Sequence, residues 1–165
     1  MIKMTFTNSL GESVVIGTSY PYDEPYFLRS VDGLGDVEVE NQTQKAPYQD
    51  GSTPIDSIIQ EREVSITLII MVEKAEELPV YRQKLARVFN PKLGELDIIY
   101  DDGFQTKLIR GKADSIPVFP SGNENRTDFI QRASISITCF DPYWKDPNPT
   151  NVKLEDYVGN FSFPF

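Results

Sequence analysis

Two long segments alternate apolar and polar residues with a period of two, which predicts half-buried β-strands. In residues 129–140, four side chains share one face: Ala133, Ile135, Ile137 and Cys139. In residues 62–72, a similar face contains Val64, Ile66, Leu68, Ile70 and Val72. Ile69 and Met71 make the other face of this second strand apolar as well. We therefore expect its second half to be covered on both sides.

Residues 73–89 carry apolar side chains at helical spacing instead. An amphipathic helix would place them on one stripe: Leu78, Tyr81, Leu85, Val88 and Phe89. Pro79 is compatible with the first helical turn, and Asn90-Pro91 is expected to end the helix. Such a helix would provide the cover that the strand requires.

Two further strand pairs surround turn signals. Residues 1–6 and 13–16 lie on either side of an Asn-Ser-Leu-Gly turn, and residues 96–100 and 104–113 lie on either side of Asp101-Asp102-Gly103. One more strand is predicted over 27–31, after an aromatic and proline-rich segment expected to cover an edge of the core. With about eight strands and one helix, the fold class is mainly β (α+β). We expect a β-sandwich or split-barrel-like sheet packed against one α-helix.

A polar segment, residues 34–61, separates the strand predicted over 27–31 from the strand predicted over 62–72. It is too long to be an ordinary loop of a compact domain. Residues 37–40 alternate like a strand, and turn signals follow at Ala46-Pro47 and Asp50-Gly51. The segment is therefore predicted to form a protruding β-hairpin arm at about residues 35–61. Because such an arm buries little of itself, its backbone needs a partner chain.

The length of 165 residues suits one domain, predicted over 1–145, with 146–165 as a linker and the start of a missing or truncated second domain. The N-terminus resembles a strand rather than a leader, and no apolar run approaches the roughly 20 residues of a membrane span, so no membrane partner is expected. The single cysteine excludes an intramolecular disulfide, and Cys139 is interpreted as a small hydrophobe.

The formal net charge is −9, and the segment from residue 32 to 61 is the most acidic. It contains Lys45 and seven acids: Asp32, Asp36, Glu38, Glu40, Asp50, Asp56 and Glu61. No basic stripe is present, which argues against sequence-specific or tight nucleic-acid binding. The absence of histidine excludes the usual zinc sites and Ser/His or Cys/His nucleophile pairs, and no glycine-rich phosphate loop is present. We expect no cofactor.

Two other functions stay open at this point. Exposed aromatic residues such as Tyr20, Tyr22 and Tyr26 could stack on sugars, which would make the chain a carbohydrate-binding module for host cell-wall recognition. A carboxylate-dependent enzyme is the less favoured alternative, since the adjacent acids Asp101 and Asp102 suit a turn better than a catalytic pair. Neither these acids nor Asp97 have the spacing of a calcium loop.

The strand over 129–140 ends at Asp141-Pro142-Tyr143-Trp144, a strand-ending motif that completes a distinctive order. Before it come Gly33-Leu34-Gly35-Asp36-Val37, then Gln49-Asp50-Gly51, then Arg62 at the start of its strand, and then Asn90-Pro91. From about residue 1 to 144, this order resembles the N-terminal domain of the distal tail proteins of phages with long, non-contractile tails.

The resemblance implies a structural protein of the virion tail tip, assembled in the bacterial host cytoplasm. Members form a hub ring between the tail tube protein and the tail-tip or adhesion protein, and DNA passes through its channel. We expect a hexamer here. A sheet would line this channel with the helix outside, and we expect the lining to be more acidic than basic. We expect the galectin-like second domain of the family to be missing or truncated here, which would put a receptor-binding role in doubt.

In that family an extended hairpin clasps the neighbouring subunit, and residues 37–56 correspond to it. The predicted subunit-interface residues are Val37, Val39, Tyr48, Asp50, Gly51, Asp56 and Arg62.

Overall fold

The computed structural model describes residues 1–19 and 25–148, which form nine β-strands and one α-helix. The strands are β1 (Lys3–Thr7), β2 (Ser13–Gly17), β3 (Tyr26–Asp32), β4 (Val39–Gln44), β5 (Thr53–Ile59), β6 (Arg62–Met71), β7 (Leu96–Asp101), β8 (Thr106–Ala113) and β9 (Ile130–Cys139). The helix is α1 (Leu78–Val88), and single 3₁₀ turns occupy Ala75–Glu77 and Pro91–Leu93.

Seven of the strands form a closed barrel in the order β1-β2-β3-β6-β9-β8-β7, closed by pairing between β1 and β7. Neighbours are antiparallel except for β2 and β3, which meet in parallel at Gly17 and Phe27. The remaining two strands, β4 and β5, form a separate two-stranded sheet. The predicted class, mainly β with one helix and a hairpin arm, is confirmed, and the main sheet is a barrel.

The longest pairing joins β6 to β9, from Arg62 opposite Cys139 to Met71 opposite Ile130. The alternating side chains predicted to share a face point inward on both strands and belong to one core cluster. Cys139 is buried in it, and burial raises the pKa of its thiol to about 11. It therefore acts as a core side chain, as predicted.

The helix is shorter than predicted, because residues 75–77 form a 3₁₀ turn and Pro79 lies in the first turn of α1. Its buried residues belong to the same core as the barrel interior, and the Phe89 ring contacts that of Phe6 at 5.0 Å. On the outer face of β6, Ile69 and Met71 are half-buried. The buried stripe of the helix thus completes the inner core of the barrel.

Both predicted turns are held by side chains of the turn itself. Asn8 Oδ1 accepts the backbone N–H of Leu10 and Glu12 at 3.0 Å each. Asp101 and Asp102 accept backbone N–H groups in the β7–β8 turn, which is the turn role expected of them.

Candidate functional site

The arm is the hairpin of β4 and β5, and all residues of both strands are exposed. Val39 pairs with Ile59 at its base, and a bulge follows Gln42. Two residues at the tip adopt left-handed backbone conformations: Tyr48 has a φ of 64° and Gly51 a φ of 77°. A two-stranded hairpin is marginally stable by itself in water, and both of its outer edges offer unpaired backbone groups. The arm is therefore a surface suited to pairing with another chain.

The register gives the arm two different faces, because directly paired residues share a face. One face carries Glu40, Gln42, Asp56 and Ile58, and we call it the acidic face. The other carries Val39, Asn41, Ser57 and Ile59. On this second face, the Ser57 hydroxyl donates to Asn41 Oδ1 at 2.7 Å. The carboxylates of the two strands are thus confined to one side of the hairpin.

Arg62 anchors the base of the arm to the barrel. It is only 6% exposed, and its Nη1 group donates to the carbonyl oxygens of Gly33 at 2.7 Å, Leu34 at 2.9 Å and Asp36 at 3.3 Å. Its Nε donates to the carbonyl of Pro142 at 3.0 Å. Hydrogen bonds from a charged donor are worth about 1.5–3 kcal/mol each. One buried cation therefore connects the start of the arm to the segment that follows β9.

Trp144 completes this anchor. Its Nε1 donates to the carbonyl of Leu34 at 3.0 Å, its ring lies 5.9 Å from the guanidinium carbon of Arg62, and the Tyr100 ring lies 6.1 Å away. The next residue, Lys145, exchanges two backbone hydrogen bonds of 2.8 Å with Leu108 on β8. The chain from Pro142 to Lys145 therefore connects the base of the arm to β8.

Gly33 makes the close approach at this base possible. It has a φ of 86°, and a Cβ atom there would lie 1.8 Å from the carbonyl oxygen of Glu63. Only glycine combines this backbone angle with this contact. Any other residue would push the arm away from β6.

An acidic cleft lies between the arm base and the barrel. It is lined by Asp32, Asp36, Glu38, Glu61 and Glu63, together with Gly33, Val37, Gln60 and Ser65. Within the described residues, no group of three or more potential ligand side chains is arranged to hold a metal ion. The cleft thus contributes negative charge beside the arm.

The predicted interface residues fall into two groups. Val39, Tyr48, Asp50, Gly51 and Asp56 are exposed on the arm, and Val37 is half-buried at its base. Arg62 is buried against its own chain, so its geometry is that of an anchor for the arm. Glu40 and Ile58, which were not among the predicted residues, are paired with each other and exposed on the arm.

The aromatic residues considered for sugar stacking receive no support. Tyr26 is 3% exposed, its hydroxyl donates to the carbonyl of Tyr81 at 2.9 Å, and burial raises its pKa. Tyr20 and Tyr22 lie outside the described residues. Among the described residues, no helix has both the length and the apolar character that crossing a membrane requires.

The family comparison and the structure comparison both match this chain to phage tail proteins. A family model described as the phage tail protein RIFT-related domain matches residues 17–139. No curated protein sequence matches the chain. Among solved structures, the chain is similar to SPP1 Dit (gp 19.1), with a TM-score of 0.62 and 14% identity. That protein is described as a paradigm of the hub adsorption apparatus in phages that infect Gram-positive bacteria. The match covers 87% of this chain and 52% of that one.

The baseplate of phage p2 in its activated conformation is also similar, in structures with Sr and with Ca. Each gives a TM-score of 0.59 and 10% identity, covering 87% of this chain and 45% of the other. The chain thus spans about half the length of the solved chains it matches. At these identities the likeness concerns the fold.

Proposed function

The chain belongs to the phage tail protein RIFT-related domain family, and we propose that it is a structural, ring-forming component of the tail hub. In this proposal it assembles as a hexamer at the tail tip of the virion, between the tail tube protein and a tail-tip or adhesion protein. The fold of SPP1 Dit, described as part of a hub adsorption apparatus, supports this assignment.

The observation that carries the proposal is the arm. It is fully exposed along both strands, yet its base is fixed by a buried arginine and a tryptophan. A chain that anchors a hairpin firmly while leaving it unpaired holds it ready for a neighbour. A strand-edge contact of this kind provides affinity through backbone hydrogen bonds and specificity through side chains.

Six copies in a closed ring make head-to-tail contacts, so the arm and the surface that receives it are different patches of one subunit. The channel lining of such a ring should be more acidic than basic, because phosphate within about one Debye length, ~8 Å at physiological salt, is then repelled. The net charge of −9 is the basis for that expectation.

The test measures the native mass of the full chain over a range of concentrations by light scattering, with negative-stain images of the same samples. The matched variant replaces residues 39–59 with two glycines. This junction is short because the N–H of Gln60 donates to the carbonyl of Glu38 at 2.9 Å. A control variant replaces the exposed loop residues 121–124 with glycines.

We expect six-membered rings from the full chain and from the loop variant, and a folded monomer from the arm variant. Rings that persist without residues 39–59 would contradict the role of the arm. A full chain that stays monomeric even with purified tail tube protein would contradict ring formation itself.

A further inference from the structure

Charge is divided unevenly between two regions of the chain. Residues 32–61 contain seven acids and one lysine. Residues 78–94, which include α1 and the 3₁₀ turn after it, contain no acid and four basic residues: Arg82, Lys84, Arg87 and Lys92. Acids border this stretch on both sides, with Glu73, Glu76 and Glu77 before it and Glu95 after it. The molecule therefore combines a strongly acidic region with a basic one, although its net charge is negative.

These two regions are attached to opposite ends of the same strand. The arm leads into β6 at Arg62, and the chain leaves β6 at Met71 toward α1. Ten residues of β-strand span about 30 Å. A head-to-tail contact between identical subunits joins two different patches, and an acidic region at one end with a basic region at the other gives those patches complementary charge.

The exposed side of α1 presents Val80, Lys84 and Arg87, spaced i, i+4 and i+7, so they share one helix face. Val80 is 62% exposed. The Ser9 hydroxyl donates to the carbonyl of Leu93, which brings the β1–β2 turn and its exposed Leu10 beside the 3₁₀ turn with Lys92. We call Leu10, Val80, Lys84, Arg87 and Lys92 the basic face.

Glu12 lies beside this face, where Arg87 and the charge of Lys84 lower the pKa of its carboxyl. Arg87 Nη1 already contacts Glu12 Oε1 of the same chain at 3.1 Å. In the described part of the chain, neither Lys84 nor Lys92 takes part in an ion pair. The two lysines, with the apolar side chains of Val80 and Leu10 nearby, form a surface that suits acidic and aliphatic groups.

The acidic face of the arm offers those groups. Glu40 and Asp56 provide two carboxylates, and Ile58, 42% exposed, provides an aliphatic side chain on the same side of the hairpin. The opposite face, with its Asn41–Ser57 hydrogen bond, has no charged residue among its four members.

We propose that the acidic face of the arm of one copy docks on the basic face of the next copy. In this arrangement Glu40 and Asp56 pair with Lys84 and Lys92, and Ile58 packs near Val80. This inference rests on the proposed ring, and it names the receiving surface. The like negative charge on the acidic faces of two arms also discourages a contact between those arms.

The test uses charge reversal in the full chain. Glu40→Lys with Asp56→Lys reverses the arm, Lys84→Glu with Lys92→Glu reverses the helix, and a fourfold variant combines both. The control, Glu124→Lys with Asp128→Lys, changes the net charge of an exposed loop by the same amount as the arm variant. Ring dissociation is measured by mass photometry at low and high salt, and circular dichroism checks the fold.

We expect each twofold variant to raise the concentration at which rings dissociate by at least about tenfold, and the fourfold variant to recover most of that loss. The control should form rings like the parent chain. High salt should weaken the parent ring, since the Debye length falls from about 10 Å at 0.1 M to 3 Å at 1 M.

Rings that form normally in both twofold variants would overturn this docking while leaving the proposed function intact. A fourfold variant whose rings are no more stable than those of the twofold variants would also overturn the docking and leave the proposed function intact. A parent chain that forms no ring overturns both proposals. Binding of duplex DNA that is lost in the Lys84→Glu and Lys92→Glu variant, with rings unaffected, would assign the basic face to nucleic acid and overturn the docking.

Discussion

The barrel and the arm are built from the same kind of strand but differ in what their side chains contact. In the barrel, alternate residues of β6 and β9 are buried in one core shared with α1. In the arm, β4 and β5 pair only with each other, and isoleucines at positions 55, 58 and 59 are exposed. The barrel therefore carries the stability of the monomer, whereas the arm leaves the side chains of both of its strands exposed.

The largest expected difference comes from the same substitution made in each region. Ile66→Ala in the barrel, where the side chain is 1% exposed, should lower the free energy of unfolding by about 2–5 kcal/mol, because it leaves a cavity in a packed core. Ile58→Ala in the arm should change it by less than about 0.5 kcal/mol. Urea unfolding at a protein concentration too low for rings to assemble measures both. An equal loss in the two variants would mean that the arm packs on its own barrel.

The junction between the two regions should be nearly as sensitive. Arg62→Ala removes the donor shared by four backbone carbonyls and should cost about 2–4 kcal/mol, with faster amide exchange at Gln60. Arg62→Lys keeps the charge but loses the planar fork, and should recover only part of this loss. Full recovery by lysine would show that the charge, rather than the hydrogen-bond geometry, holds the arm base.

Replacing a glycine with alanine should also affect stability differently in the barrel and near the arm base. A Cβ atom at Gly111 in β8 would lie 2.6 Å from Ile137 Cγ2 and 2.7 Å from Cys139 Sγ. Gly111→Ala should therefore overpack the core and destabilise the chain by about 1–3 kcal/mol. Gly35→Ala, near the arm base, has open space around the new atom and should be close to neutral. Thermal unfolding of the two variants gives the comparison, and a neutral Gly111→Ala would contradict the close packing of β8 on β9.

The smallest effect concerns the turns at the ends of the two hairpins. In the barrel, the backbone N–H groups of Gln105 and Phe104 lower the pKa of Asp102 below its ordinary value of 3.8. Its contribution to stability is therefore present above that ordinary value and is lost as the pH falls through the lower folded value. In the arm, the turn uses the neutral Gln49 amide, whose oxygen accepts from the N–H of Ala46 at 3.0 Å.

Asp102→Asn should therefore flatten the acid dependence of the melting temperature slightly, while Gln49→Ala should leave it unchanged. Melting curves across the acid range, compared with the parent chain, provide the measurement. If the melting temperature of Asp102→Asn depended on acid pH as it does in the parent chain, the Asp102 carboxylate would not stabilise the turn.

Much of the fold could be predicted from the sequence, because periodic burial leaves a periodic pattern. The inner residues of β6 and β9 and the stripe of α1 were all identified this way, as was the exposed hairpin between residues 35 and 61. The position of α1 was less predictable. Its stripe indicates that it packs on a sheet, but the pattern does not say which face of that sheet it meets.

The candidate site shows the same limit. Exposed arm residues such as Tyr48 could be predicted from polarity and turn signals, whereas the role of Arg62 could not. A charged residue at a strand start suggests the surface, and the sequence gives no sign that its partners are backbone carbonyls.

The sequence by itself therefore determined the alternation of the strands, the amphipathic helix, the length of the arm and the contrast between acidic residues 32–61 and basic residues 78–94. These are local properties, carried by neighbouring positions. Only the tertiary structure decided that the sheet closes as a barrel, that Arg62 reaches carbonyls as far apart in sequence as Gly33 and Pro142, and that the two charged regions lie at opposite ends of β6. Those features depend on contacts between distant segments, which form once burial of the shared core brings them together.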